Sequence, residues 1–215
     1  MIQNLSSVPL PLAKRLFDII VSLLLLILLF PLILIIIAAE LIEFALSPSS
    51  RGRIFYWETR ISQGRPFTLY KFRIFKKSAL ESFRKSNGII QTKTLEHDRA
   101  NLTFTGRLLR RAYLDEIPQL LCVLKGDMSL VGPRPTNPQN YELKLAMGNQ
   151  AKRLLKAGIT GYFQSHKGRK LRKDQETLDM EYFQFIQTSP GWKVALFDLK
   201  ILVISIYTVL RAEGI

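Results

Sequence analysis

The sequence predicts an α+β chain, predominantly helical, with an N-terminal membrane helix, a small β-hairpin and amphipathic helices of the interfacial kind. Three observations predict it. One apolar run, LFDIIVSLLLLILLFPLILIIIAA at residues 16–39, dominates the N-terminus. Two aromatic and β-branched stretches, 54–57 and 66–72, flank a loop containing ISQGR. The rest shows helical patterning punctuated by Gly and Pro. The chain has 215 residues, enough for a domain with a core. With 47% hydrophobic and 22% charged residues it is not a disordered chain, and a single long apolar run excludes a multi-span protein. One cysteine, Cys122, excludes an intrachain disulfide and a multi-cysteine zinc site. Two histidines, His97 and His166, leave no basis for a His-rich metal centre.

In the first element, Ile19 to Ala39 are 21 uncharged residues, long enough to span a bilayer. Glu40 and Glu43 follow instead of a small-x-small cleavage site, which argues against a signal peptide. Pro31 lies mid-run, where it removes a backbone donor. It divides the segment into halves, 13–30 and 31–46, each about 24–27 Å long and so short of the ~30 Å hydrocarbon core. Lys14 and Arg15 precede the run, and Arg51, Arg53 and Arg60 follow it. Basic flanks at both ends favour a cytoplasmic position for both. The residues alone leave a kinked span and a re-entrant hairpin both open.

Residues 1–46 therefore form the membrane unit, and the turn-rich SPSSRG (47–52) opens the body, residues 47–215. Lys14 and Arg15 against Asp18, Glu40 and Glu43 give the first part a net charge of −1, so of the +14 overall the body carries +15. After the hairpin, residues 76–99 read as an exposed loop with some helical character. Helices are expected at 106–111, 115–124, 141–157, 171–187 and 194–210, with an ordered loop at 126–138 and a turn-rich segment at 158–168. The last helix is interrupted by Asp198 and Lys200, which suits a core or interfacial helix better than a span.

The densest group of chemically capable residues lies between Leu108 and Pro135. Asp115 and Glu116 are adjacent carboxylates; neighbours on a helix point about 100° apart, so they would divide tasks. One could attack or take a proton while the other holds a metal. They also suit a helix start, Asp115 as cap and Glu116 complementing the dipole. Both readings stand together, because helix N-termini also bind phosphate. Arg110, Arg111 and Arg134 bracket the pair, and arginine is suited to bidentate phosphate contact, although surface ion pairing is an equal use of it. Lys71 and Arg73 close the second predicted strand. His166 has no second ligand at metal spacing, and no GxGxxG or Walker-type loop occurs.

An ordered set of motifs resembles the bacterial sugar transferase family, the monotopic phosphoglycosyl transferases. It comprises KRLFD (14–18) before a proline-centred apolar run, YKFR (70–73), LDEIPQL (114–120), GDMSLVGPRP (126–135), GITG (158–161) with Gln164, and DLKIL (198–202). The likeness covers residues 13–215. It implies transfer of a sugar-1-phosphate from a UDP-sugar to polyprenyl phosphate with release of UMP, and magnesium as cofactor. It implies Asp115 as nucleophile, Glu116 as magnesium ligand, and Arg110, Arg134, Lys71, Arg73 and Pro133 in phosphate or substrate binding. Thr160 and Gln164 would lie on the nucleotide side. It further implies a re-entrant helix broken at Pro31, contact with inner-leaflet lipids of the bacterial cytoplasmic membrane, and a catalytic domain facing the cytoplasm. Departures from the family pattern are Phe30 for Ser, Glu58 for Gln, Ser62 for Gly, Ile74-Phe75 for Thr-Met, and Ala157 for Pro. A membrane-tethered nucleic-acid-binding module would also suit the basic body, but it leaves the Asp-Glu pair and the GPRP loop without a task, so no nucleic acid is expected as partner. A catalytically silent scaffold would not need the intact acidic pair. Sugar identity, pathway and oligomeric state, a homo-oligomer included, are open at this level.

Overall fold

The computed structural model of the chain describes residues 9–81, 98–165 and 173–210. The expected loop at 76–99 falls mostly outside them, as do His97 and His166. In chain order the elements are α1 (Leu12–Leu46), β1 (Phe55–Ser62), β2 (Arg65–Phe72), α2 (Phe104–Arg111), a 3-10 turn (Leu114–Glu116), α3 (Gln119–Lys125), β3 (Ser129–Val131), α4 (Pro138–Ala146), α5 (Ala151–Leu154), β4 (Gly158–Thr160), α6 (Tyr162–Ser165), α7 (Gln175–Thr188) and α8 (Gly191–Leu210).

The α+β, mostly helical class is as expected, but the helix expected at 115–124 with Asp115 as its cap is a 3-10 turn capped by Tyr113 and then α3, and three other elements differ in detail. First, α1 is a helix of 35 residues that runs on through Pro31 instead of dividing there. A proline deletes one hydrogen bond and crowds the carbonyl a turn back, which bends a helix without having to end it. Second, the stretch expected as loop at 126–138 contains β3, which pairs in parallel with β4 in the register Ser129↔Gly158, Val131↔Thr160. Strands of three residues are too short to show an alternation. Third, the helix expected at 141–157 is two, α4 and α5, parted at Gly148, whose φ of 88° stops the first. The hairpin is as expected: β1 and β2 pair, and Gln63 and Gly64, at φ 52° and 73°, make the two-residue turn whose twist matches the strands.

The chain packs as two compact units. Among the described residues, the first holds those up to Leu26, Glu58–Leu69 and those from Gln119 onward; the second holds Ile27–Trp57 and those from Tyr70 to Pro118. The first unit's core gathers Val123, Met128, Leu130, Leu154, Phe183 and Ile201 around the β3–β4 pair. Its link to α1 is ionic. Lys14 is 1% exposed, and its ammonium bonds the carboxylate of Asp198 on α8, with Asp18 at 3.9 Å and the Val131 carbonyl at 3.4 Å. Tyr182 donates to the other oxygen of Asp198 at 2.6 Å. One turn on, Asp18 accepts from the Leu130 amide at 3.2 Å, which ties α1 to β3. Arg15 donates to the carbonyls of Val123 and Leu124 at the end of α3, at 2.6 and 2.8 Å, the first of which also accepts from the Gly126 amide. The second unit packs Ile36 of α1 with a core of Phe72, Ile74, Phe75, Leu102 and Leu109. Between these anchored ends, residues 23–35 of α1 include no buried residue.

Removing one partner of the buried pair leaves the other charge uncompensated. Asp198→Ala should therefore destabilise the fold by about 3–5 kcal/mol, and the double change Lys14→Met with Asp198→Leu should recover most of the loss. Thermal unfolding in detergent micelles checks this; an Asp198→Ala midpoint equal to wild type would contradict the anchor.

Candidate active site

The acidic pair sits where α2 gives way to a tight reversal. The last turn of α2 carries Arg110 and Arg111, and the chain then passes through Tyr113 in the left-handed region, φ 55°. A tyrosine is uncommon there, and such conformations cluster at functional sites. The 3-10 turn that follows presents Asp115, 5% exposed, and the half-buried Glu116. Lys71, from the end of β2, reaches both: its ammonium is 2.9 Å from Glu116 and 3.7 Å from Asp115. Lys71, Asp115 and Glu116, all predicted site residues, are thus brought together, with Arg110 five residues upstream on α2.

The far end of α2 is held just as firmly. Thr103 caps it by accepting from the Gly106 amide at 2.9 Å. Glu43, near the end of α1, accepts from the amides of Phe104 and Thr105, both at 2.8 Å, from the Thr105 hydroxyl at 2.6 Å and from Ser50 at 2.7 Å. A carboxylate on the first amides of a helix satisfies orphan donors and complements the dipole. Arg73 has a different place from its neighbour Lys71. It is 5% exposed and donates to the carbonyls of Arg53, Phe75 and Ser50, with its guanidinium over the Phe44 ring at 5.0 Å. Burial lowers its pKa. Its visible bonds hold the backbone after β2, whereas sequence placed it with the phosphate-binding residues.

Pro133, Arg134, Thr160 and Gln164 belong to the other unit, around the β3–β4 pair. Glycine is obligatory there by close approach: a Cβ on Gly158 would lie 2.1 Å from the Gly132 nitrogen, and one on Gly161 2.3 Å from the Gly132 oxygen. That interlock is the physical content of the GPRP and GITG motifs. Gly132 donates to the Thr160 carbonyl at 2.9 Å, and Gly158 donates to that of Pro133 at 3.0 Å. The Thr160 hydroxyl lies 2.6 Å from that of Ser205 on α8. Both polar atoms of the Gln164 amide are buried with no hydrogen-bond partner among the described residues, an arrangement suited to a bound polar ligand. No group of three or more His, Cys, Asp and Glu is assembled among the described residues. Sequence reasoning passed over Glu43, Lys152 and Ser205, whose partners are backbone groups or distant hydroxyls that leave no spacing signal.

A model of bacterial sugar transferases matches residues 10–212. The chain belongs to the bacterial sugar transferase family. It is 39% identical over 204 residues to an uncharacterized sugar transferase, EpsL, of Bacillus subtilis, covering 94% of this chain and 89% of that protein. It is 33% identical over 219 residues to a UDP-glucose:undecaprenyl-phosphate glucose-1-phosphate transferase of Caulobacter vibrioides, covering 98% of this chain and 74% of the relative. The enzyme of that name from Escherichia coli is 32% identical over 207 residues, which span 91% of this chain and 40% of the relative's length.

Two departures from the family pattern meet in the structure. Ser62 stands where the resemblance expects Gly, and Ala157 where it expects Pro. The Ala157 amide, which a proline would lack, donates to the Ser62 hydroxyl at 3.0 Å, and that hydroxyl donates to the Asp127 carbonyl at 2.5 Å. The serine thus satisfies the donor that the alanine introduces. Ser62→Gly alone should cost about 1–3 kcal/mol by orphaning a buried amide, and Ser62→Gly with Ala157→Pro should cost less than the single change. Denaturant unfolding of the three variants measures the coupling; additive losses would count against it.

Proposed function

We propose that the chain transfers a sugar-1-phosphate from a UDP-sugar to polyprenyl phosphate, with Asp115 as nucleophile. The observation that carries this reading is the acidic pair beside Lys71: a buried carboxylate, a second carboxylate and a cation at 2.9–3.7 Å, at the end of an arginine-bearing helix. The names of the relatives, which specify undecaprenyl phosphate and glucose-1-phosphate, support the substrate classes.

In the proposed reaction a carboxylate oxygen of Asp115 attacks the sugar-bearing phosphorus of the UDP-sugar. The bond from that phosphorus to the bridging oxygen breaks, and UMP leaves with the electron pair. The acyl phosphate keeps the group activated. A phosphate oxygen of polyprenyl phosphate then attacks the same phosphorus and frees the Asp115 carboxylate. Arg110 and Arg134 are proposed to neutralise phosphate charge, since attack of one anion on another needs it. Lys71, whose ammonium lies 3.7 Å from Asp115, orients that carboxylate. The donor set fits magnesium, which is bound by one or two carboxylates while phosphates and waters supply the remaining oxygens. Glu116 would hold it, and it would supply the positive charge that the departing UMP phosphate needs. Thr160 and Gln164 are assigned to the nucleotide side, where the unpartnered amide of Gln164 offers both a donor and an acceptor.

We also propose a monotopic placement in the cytoplasmic membrane, with both ends of α1 on the cytoplasmic face. Support comes from the anchors: Lys14 holds one end of α1 through Asp198, and Glu43 holds the other through α2. Among the described residues α1 alone is long and apolar enough to cross. A straight helix of 35 residues measures about 52 Å, so a bend at Pro31 would let it dip and return. On α8, Trp192, Leu196, Leu199, Val203 and Ile206 form an exposed apolar stripe at spacings of three and four, suited to lying in the interface.

Asp115→Asn should abolish UMP release and the covalent phosphosugar adduct, while Glu116→Gln should weaken the magnesium dependence. Near-normal turnover by a folded Asp115→Asn variant sinks the mechanism. Thiol labelling of intact cells carrying single cysteines before Lys14 and after Arg51 should leave both unlabelled from outside. Labelling of one flank only would mean a true span.

A further inference from the structure

Among the described residues, at least four bonds tie the loop from Gly132 to Thr136. Three join backbone to backbone: Gly132 to Thr160 at 2.9 Å, Gly158 to Pro133 at 3.0 Å, and Ile61 of β1 to Thr136 at 2.9 Å. The fourth is a side chain. Lys152, on α5 and 9% exposed, donates from its ammonium to the carbonyl of Arg134 itself. Proline on each side of Arg134 removes two donors and stiffens the loop, so the aim of the arginine depends on what holds its own peptide.

The setting of Lys152 is built to keep it there. Its helix, α5, packs against α7. Glu176 of α7 accepts from the amides of Gln150 and Ala151, at 2.6 and 2.8 Å, and so fixes the start of α5. Asp179, one turn further along α7, is 2% exposed and receives the Gln175 amide at 3.3 Å. The charged groups acting on Lys152 are Lys144 of α4, Asp179 and Glu176 of α7, and Arg134 of the loop.

We propose that Lys152 is a positioning residue: its charged tie to the Arg134 carbonyl holds the arginine on the phosphate side of the reaction, and the hold weakens when the ammonium or its counter-charge Asp179 is neutralised. The inference rests on the phosphate-binding reading of Arg134. A charge-assisted bond is roughly twice as strong as its neutral counterpart. Burial pulls Lys152 down from 10.5 to about 8, helped by Lys144 and opposed by Asp179 and Glu176. Burial raises Asp179 from 3.8 to about 6, against the pull of Lys152. The tie is fully charged between those limits.

Stability moves the other way. Above about pH 8 native Lys152 has lost a proton that the unfolded chain keeps up to about 10.5, so its contribution to stability rises with pH while the tie fades. A merely structural lysine would make activity follow stability.

The experiment compares wild type with Lys152→Arg, Lys152→Met and Asp179→Asn in lipid nanodiscs. It records kcat/KM for UMP release from pH 6 to 10, thermal midpoints, and hydrogen exchange of the Gly132, Arg134 and Thr136 amides at pH 7. Wild type should lose activity with a limb near pH 8 without losing thermal stability. Lys152→Arg should move that limb up by at least one pH unit, and Asp179→Asn should move it down. Lys152→Met should lower kcat/KM about tenfold at pH 7 and speed exchange in the loop at least threefold. An unmoved alkaline limb in Lys152→Arg overturns the proposal, as does wild-type exchange in Lys152→Met. If Lys152→Met fails to fold, the limbs of the other two variants decide. Exchange needs no substrate: a loosened loop in a chain that transfers no sugar phosphate would support the tie and reject the transferase reading.

Discussion

Everything in this fold answers to one constraint: a helix whose middle is too apolar for water must be held by its ends. Residues 23–35 of α1 include no fully buried residue, so the anchoring falls to polar side chains placed within the last turns on either side. At one end Lys14 and Asp18 are sunk against α8 and β3. At the other, Glu43 caps α2. Such groups are costly to bury, and they repay it with direction, because an ion pair or a cap is satisfied in only one geometry. Hydrophobic contacts alone would let an apolar helix rotate or slide.

The same economy governs the two sites. The acidic pair hangs on a short helix clamped at both ends, by Glu43 and Thr103 at the start and by Lys71 on the carboxylates that follow. The Arg134 loop hangs on three glycines that admit no side chain and on the carbonyls between its prolines. In both, the residue that would touch phosphate is carried on backbone whose own hydrogen bonds are met by neighbouring elements. Preorganisation of this sort is what charge stabilisation in catalysis needs, since a donor that must first find its place loses much of its effect.

The motifs made much of this legible in the sequence, and the exceptions share a cause. Asp115, Glu116 and Lys71 could be read because they sit in recognisable motifs, and the structure gathers them. The apolar run and the hairpin could be read because periodicity and turn residues declare them. Strands β3 and β4 could not, because three residues pinned by close glycine contacts carry no period. Nor could the task of Arg73, whose sequence neighbourhood matches that of Lys71 while its guanidinium turns to carbonyls. Ser62 and Ala157, 95 positions apart, looked like two unrelated departures until their shared hydrogen bond joined them. Interactions between a side chain and a distant backbone group leave no pattern in sequence.

That same habit changes how the charge of the body should be read. Arg73 serves the carbonyls around β2, Lys152 that of Arg134, and Lys156 that of Gly126. A carbonyl satisfies a cation's hydrogen bonds but carries no formal charge, so these bonds shape the fold without neutralising the field. Had the same residues been paired with carboxylates, the body would be equally well tied and far less positive. If the chain draws two anionic phosphates to a membrane face, as proposed, it gains from cations that hold its backbone together and still leave a net positive potential.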